Sequence, residues 1–279
     1  MLEKSALFQT QLWHLWLGLL LLSVPLFQTT AVSEELKGEL IVVGRGPERT
    51  IIEQLTQAFE KDHFGTAVDI RWNRNFHIAN MVASGEADIA VSGREELGLT
   101  ATTIAWDGLA VIVNFSNPVK EMTKEQVASL FSGSIRDWSE LDEKANGKVQ
   151  VILRPDDQNL NDGFAQSLEI VGRMTKNAEH LRSDQQVLSR VSGQLNAVGY
   201  LSLQAALDAV TYGVSVRILV INGVEAGTPT LQSGQYPLKR PLVLLMRTAP
   251  SALTRAFVES ARSSAGQTIL GNGYVPLAP

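Results

Sequence analysis

Past the N-terminal region, the first strong pattern is a continuous apolar run, Leu40-Ile41-Val42-Val43, of the kind that forms a strand buried on both faces. Gly44-Arg45-Gly46-Pro47 interrupts it. Thr50 to Lys61 then carries Ile51, Ile52, Leu55 and Phe59 at the spacing of one helix face. Val68 to Trp72 predicts a second strand, Ile78 to Ser84 a helix stopped by Gly85, and Ala87 to Val91 a third strand. Strand, helix, strand, helix, strand over about fifty residues predicts two crossover units and a parallel sheet. Ligands of such sheets bind beyond the carboxyl ends of the strands, beside helix N-termini. Three segments stand there: Gly44 to Thr50, Asn73 to His77, and Ser92 to Glu95.

The pattern changes in the middle of the chain. Leu109 to Asn114 predicts a strand that ends at Asn117-Pro118, and Thr123 with Gln126 predicts a helix opened by a capping box. Phe131 to Trp138 contains a glycine turn, and Val149 to Leu153 is a strand running into Arg154-Pro155-Asp156-Asp157. Helices are expected over Phe164 to Val171, Ser183 to Val191, Leu203 to Val210 and Ala252 to Ser263, with strands at Val216 to Ile221 and Pro241 to Met246. The 279 residues suit two lobes of roughly 100–130 residues each. With Asn117-Pro118 taken as the exit, residues 34–114 and 222–279 form one expected lobe and 115–221 the other.

Trp13 to Phe27 is apolar apart from His14 and Ser23, short for a membrane span, and is followed by Ala31-Val32-Ser33. Small residues at the first and third of those positions predict a signal peptide over 1–33, cleaved after Ser33 and giving a periplasmic protein. A retained anchor is the alternative. The chain has no cysteine, which excludes disulfides, thiolate chemistry and a lipoprotein anchor. Its formal net charge of -5 gives no reason to expect nucleic acid as a partner. An anion ligand stays open, because helix dipoles and arginines set the field locally.

Little in the chain reads as catalysis. His14, His63, His77 and His180 form no metal-ligand spacing, and neither a nucleophile elbow nor a Walker loop occurs. Gly44-Arg45-Gly46 lacks the third glycine of a dinucleotide fingerprint, so no cofactor is expected. What the strand ends do carry is arginine: Arg45, Arg49, Arg71, Arg74, Arg94 and Arg154. Guanidinium groups match phosphate and carboxylate oxygens bidentately.

Several ordered stretches are similar to the phosphate-binding proteins of phosphate ABC transporters: Ser84 to Ser92, Ile104 to Asn114 with Asn117-Pro118-Val119, Leu130 to Trp138, and Val198 to Leu201. Tyr236-Pro237-Leu238 with Arg240-Pro241-Leu242, and Gly266 to Leu277, continue the series. The resemblance implies an α/β, two-lobed periplasmic-binding-protein-like fold, each lobe a mostly parallel sheet flanked by helices, joined by two crossing hinge strands that close on ligand. It implies a monomeric, non-enzymatic receptor that passes phosphate or a related small oxyanion to an ABC transporter permease. Residues expected at the ligand are Arg45, Gly46, Arg74, Ser92, Arg94, Arg154, Gln158 and Asn159.

Arg154 and Ser92 match the family pattern, whereas most of the family's ligand hydroxyls do not. Gly44-Arg45-Gly46-Pro47, Asn73-Arg74-Asn75-Phe76 and Gln158-Asn159-Leu160 stand where the family carries Gly-Ser-Thr-Thr, Gly-Ser-Gly and Ser-Gly-Thr types. Each buried donor mismatch costs about 1–3 kcal/mol. A periplasmic accessory or signalling protein that kept the fold and binds phosphate weakly is therefore the second expectation. One family branch also places an aspartate just after the third strand to accept the proton of hydrogen phosphate, and here Gly93 aligns with it.

Overall fold

The computed structural model describes residues 36–155 and 159–277; the expected signal peptide and Gln158 lie outside them. β1 (Gly38–Gly44), α1 (Arg49–Asp62), β2 (Thr66–Trp72), α2 (Ile78–Ser84) and β3 (Ile89–Ser92) follow in order. β1 pairs in parallel with both β2 and β3, as the alternating pattern predicts. Helix α1 buries Ile51, Ile52, Leu55 and Phe59, and the Phe59 ring meets Phe257 edge-on at 5.3 Å. Gly85 ends α2 in the left-handed conformation, with φ of 85°.

β4 (Thr100–Asn114) is longer than its apolar half suggests and runs through both lobes. The chain continues through β5 (Glu121–Met122), α3 (Lys124–Ser132), β6 (Gln150–Leu153) and α4 (Asn159–Ser167). β7 (Ala178–His180), α5 (Asp184–Gly193), β8 (Ala197–Ser202), α6 (Leu203–Thr211), β9 (Val216–Ile218), β10 (Val220–Ile221) and α7 (Thr228–Gln232) follow. β11 (Lys239–Met246), α8 (Ala252–Arg262), α9 (Ser264–Leu270) and β12 (Val275–Pro276) complete it. The main sheet runs β2-β1-β3-β11-β4-β8-β6-β7, so β11 and β4 stand side by side at its centre. The fold is α/β and two-lobed, its second-lobe strands β6, β7 and β8 again parallel.

The packing groups the two halves of β4 differently from the expected division. The first half of β4 pairs with β11, and Ile104 and Ala105 pack with Leu40, Phe59 and Phe257. Its second half pairs with β8 and β9, and Leu109 to Val113 pack with Trp138, Phe164 and Tyr200. Tyr236 and Leu238 belong to that second cluster, while Leu242 and Leu244 belong to the first. The chain thus crosses at Gly108 and again at Leu238–Lys239, where the Leu109 amide donates to the Leu238 carbonyl at 2.9 Å. Asn114 and Ile221 both lie within the second lobe. Asn117-Pro118 is a local turn there: Asn117 Oδ1 accepts from the Val119 amide at 2.9 Å, and Asn114 Nδ2 donates to the α5 carbonyls of Val191 and Ser192. A turn signal carries no information about which core the flanking strands join.

Local end signals hold elsewhere. Thr123 and Gln126 form both bonds of the capping box, worth about 1 kcal/mol. The helix expected over Phe164 to Val171 instead begins by Asn159 and ends at Ser167, because Glu169 takes a left-handed φ of 60° and turns the chain.

Candidate functional site

The segments following β1 and β3 meet the start of α4, which follows β6. At their meeting point is a cluster of buried charge. Glu48 immediately precedes α1 but makes no capping bond with its side chain, which is fully buried. Its Oε1 accepts from Arg240 Nη1 at 2.7 Å, and its Oε2 lies 3.4 Å from the donating Asn159 Nδ2. Arg240 Nε donates to Asp107 Oδ2 at 2.9 Å, and Asp107 Oδ1 accepts from Ser202 Oγ at 2.6 Å. Arg240 Nη2 is also 2.9 Å from Asp107 Oδ2 but is not aligned to bond it. The register explains the pairing, since Arg240 on β11 stands opposite Asp107 on β4 at the crossing.

Electrostatics within the cluster are strained. Burial pushes the Asp107 carboxyl up, more than the Arg240 guanidinium and the Ser202 hydroxyl pull it down. Burial alone would lower Arg240, but Glu48 and Asp107 together hold it above the usual arginine range. The Tyr274 hydroxyl is pushed up by burial and then by the same two carboxylates. Space is equally constrained. A Cβ on Gly93 would lie 2.9 Å from the Asn159 carbonyl oxygen and 3.1 Å from Arg240 Nη1, and one on Gly163 would press on the Arg240 stem.

Of the residues expected at the ligand, Arg45, Gly46 and Asn159 come together here. Arg45 Nη2 pairs with Asp162 Oδ2 at 2.9 Å, and its Nε donates to Asn159 Oδ1 at 3.3 Å. Asn159 Nδ2 also reaches the Val91 carbonyl at 3.2 Å, so α4 of the second lobe is tied directly to the end of β3. Gly46 lies against the Glu48 carboxylate, and its carbonyl accepts from Trp72 Nε1 at 2.8 Å. Ser92 is buried, with its Oγ accepting from the Arg94 amide at 3.2 Å.

Arg154 is buried nearby at the end of β6, its guanidinium paired with Asp184 and its Nε unbonded. Arg94 pairs with Glu96 at 2.9 Å. It lines a 460 Å³ cavity with Leu153, Asn161, Asp162, Lys176 and His180. Arg74 is brought to none of this: it is exposed beyond β2, the edge strand of the sheet. Arg49 and Arg71 make surface pairs with Glu53 and Asp69. Among the described residues no group of three histidine or acidic side chains is arranged to hold a metal ion.

Glu48, Asp107, Arg240 and Ser202 are the cluster residues that the sequence reading did not single out. The available signals were positional. Glu48 stands in the strand-end segment Gly44 to Thr50, and Asp107 and Arg240 stand in stretches that carry the family resemblance.

A family model described as a PBP superfamily domain matches residues 29–261. The chain belongs to this family. Phosphate-binding protein PstS 2 of Streptococcus pneumoniae serotype 4 is 33% identical over 118 residues, 40% of this chain and 40% of that protein. Phosphate-binding protein PstS of Staphylococcus epidermidis is 24% identical over 260 residues, 87% of this chain and 80% of that protein. The chain thus spans about two-fifths of the length of the more similar relatives and four-fifths of the more distant one. Among solved structures, an ABC-type phosphate transport receptor from Vibrio cholerae superposes with a TM-score of 0.74 at 21% identity, covering 85% of this chain and all of that one. PstS from Borrelia burgdorferi gives 0.67 at 20% identity, covering 87% and all of that chain. These two share the two-lobed fold.

Proposed function

We propose that this chain is an extracytoplasmic solute-binding protein that captures phosphate or a related small oxyanion and presents it to an ABC transporter permease. One observation carries the reading. A guanidinium and a side-chain amide, Arg240 at the crossing and Asn159 from the second lobe, converge on the Glu48 carboxylate, an oxyanion of the chain itself, between the strand ends. Such a donor set serves phosphate as well as carboxylate. The similarity to phosphate-binding proteins supports the same ligand class. The protein acts as a monomer, without a cofactor and without chemistry on its ligand. It reaches the periplasm through a signal peptide cleaved after Ser33, and the absence of cysteine supports a form without a lipid anchor. The lobes we assign are 36–107 with 239–277, and 109–238.

Calorimetric titration of the mature protein with phosphate, sulfate, arsenate, molybdate and small carboxylates tests the reading. A receptor gives saturable binding of at least one oxyanion; heat only of dilution across the whole series defeats it. The second reading, an accessory protein with the fold and little affinity, is favoured by one feature: the oxyanion held between the lobes belongs to the protein itself.

A further inference from the structure

We propose that Glu48 is a built-in ligand: its carboxylate occupies the oxyanion site between the lobes, holds them together without an external anion, and must be displaced before one can bind. The proposal rests on the assignment of this junction as the oxyanion site. Three observations carry it. The Glu48 side chain makes no bond to the helix it precedes and is turned instead into the interior, where it is fully buried. Both of its oxygens are engaged by groups outside its own segment: Arg240, 192 positions away, and Asn159, 111 positions away. Asn159 also holds the Val91 carbonyl, so the contact closes the second lobe on the first.

Charge balance points the same way. Arg240 faces Glu48 and Asp107, Arg45 faces Asp162, Arg154 faces Asp184 and Arg94 faces Glu96. Every one of these guanidinium groups already has a carboxylate of the chain beside it. An external dianion entering a buried cluster of two carboxylates and one guanidinium meets net repulsion at short range. If Glu48 swings out, it leaves Arg240 Nη1 and Asn159 Nδ2 aimed at one vacated position and removes one of the two opposing charges. The cavity lined by Arg94, Lys176 and His180 is also lined by Asp162, the partner of Arg45.

The test compares phosphate titrations of the wild type, Glu48→Gln and Glu48→Ala, with folding checked by circular dichroism. Binding at least tenfold tighter in a Glu48 variant than in the wild type is the expected result. For Glu48→Ala, acetate at constant ionic strength raises Tm while leaving the wild type unmoved, because acetate restores the missing carboxylate. A wild type that binds phosphate as tightly as the variants overturns the proposal and leaves the receptor reading standing. The converse, binding only by the variants, supports the proposal and removes the receptor reading. If no protein binds any oxyanion, both fall. Should neither variant fold, small-angle scattering of the wild type decides. A radius of gyration unchanged by saturating phosphate supports a chain already closed on its own carboxylate, and contraction on phosphate overturns it.

Discussion

Arg240 and Arg154 are both buried arginines at strand termini facing the junction, yet their surroundings are opposite. Arg240 is held by two carboxylates that are themselves buried, at 0% and 2% exposure of their side chains. Arg154 is paired with Asp184, whose side chain is 44% exposed, and keeps its Nε unbonded. A guanidinium between two desolvated acids is required by the fold whatever else it binds, because removing it strands both charges in low dielectric. One paired with a half-solvated acid can exchange that partner for a ligand, since the acid returns to water at little cost. Burial of an arginine therefore says little about its role until the solvation of its partner is known.

Breaking the first member of this comparison has the largest expected effect. Arg240→Ala leaves Glu48 and Asp107 uncompensated and should lower unfolding free energy by about 3–5 kcal/mol, read by urea denaturation. A loss below about 1 kcal/mol would mean that the two acids find other partners or water.

Arg154→Ala should behave conversely. Stability falls by only about 1 kcal/mol, while affinity for any bound oxyanion falls by about 1.5–3 kcal/mol in the same calorimetric assay. Arg190→Ala serves as the control, because its pair with Glu179 is partly exposed on both sides; both quantities should stay within about 0.5 kcal/mol. Equal effects on binding from Arg154 and Arg190 would misplace the site.

Gly93 sharpens the comparison through selectivity. The Asn159 carbonyl and Arg240 stand where a side chain at Gly93 would go, so no acid at that position can accept a proton from hydrogen phosphate. Competition between phosphate and sulfate at neutral pH should favour phosphate by less than about tenfold, or about 1.4 kcal/mol. A thousandfold preference would show that another acid of the cluster performs the discrimination.

The smallest effect is a slope. Asp107 has its folded-state value raised above the ordinary 3.8, so the fold favours its protonated form. Its contribution to stability is greatest below the ordinary value and declines as pH rises through the raised one. The Tm of the wild type relative to Asp107→Asn should accordingly fall over a pH range rising from the ordinary 3.8 upward. A flat difference across that range would indicate that Arg240 cancels the burial penalty.

Much of the fold was legible because its signals are local. The β1-α1-β2-α2-β3 series follows from apolar runs and one helical face, and the Thr123–Gln126 box and the Gly85 stop were read directly from residue types. The polar half of β4, Thr100 to Asp107, was missed because its alternation of threonine and alanine is weak without its β11 neighbour. The site was legible only in part. Arg45 and Gly46 were expected because they follow a strand and Asn159 because of its register in the family resemblance, and the strand-end rule also pointed to Arg74, which is exposed beyond β2. β1 lies between two strands, so its loop faces the other lobe; β2 is the sheet edge, so its loop faces water.

By itself the sequence determined the α/β class, the order of elements and a family of two-lobed proteins, because period, caps and turn residues act between near neighbours. Only the tertiary structure decided where the chain crosses and which charges meet. Asn117-Pro118 reads as an exit, yet the crossing is at Gly108, where one strand changes partners from β11 to β8. Glu48 and Arg240 are ordinary surface residue types in ordinary loops and strands. Their pairing spans 192 positions, and it exists because two cores pack against one shared strand and leave a dry space that only a matched set of charges can fill.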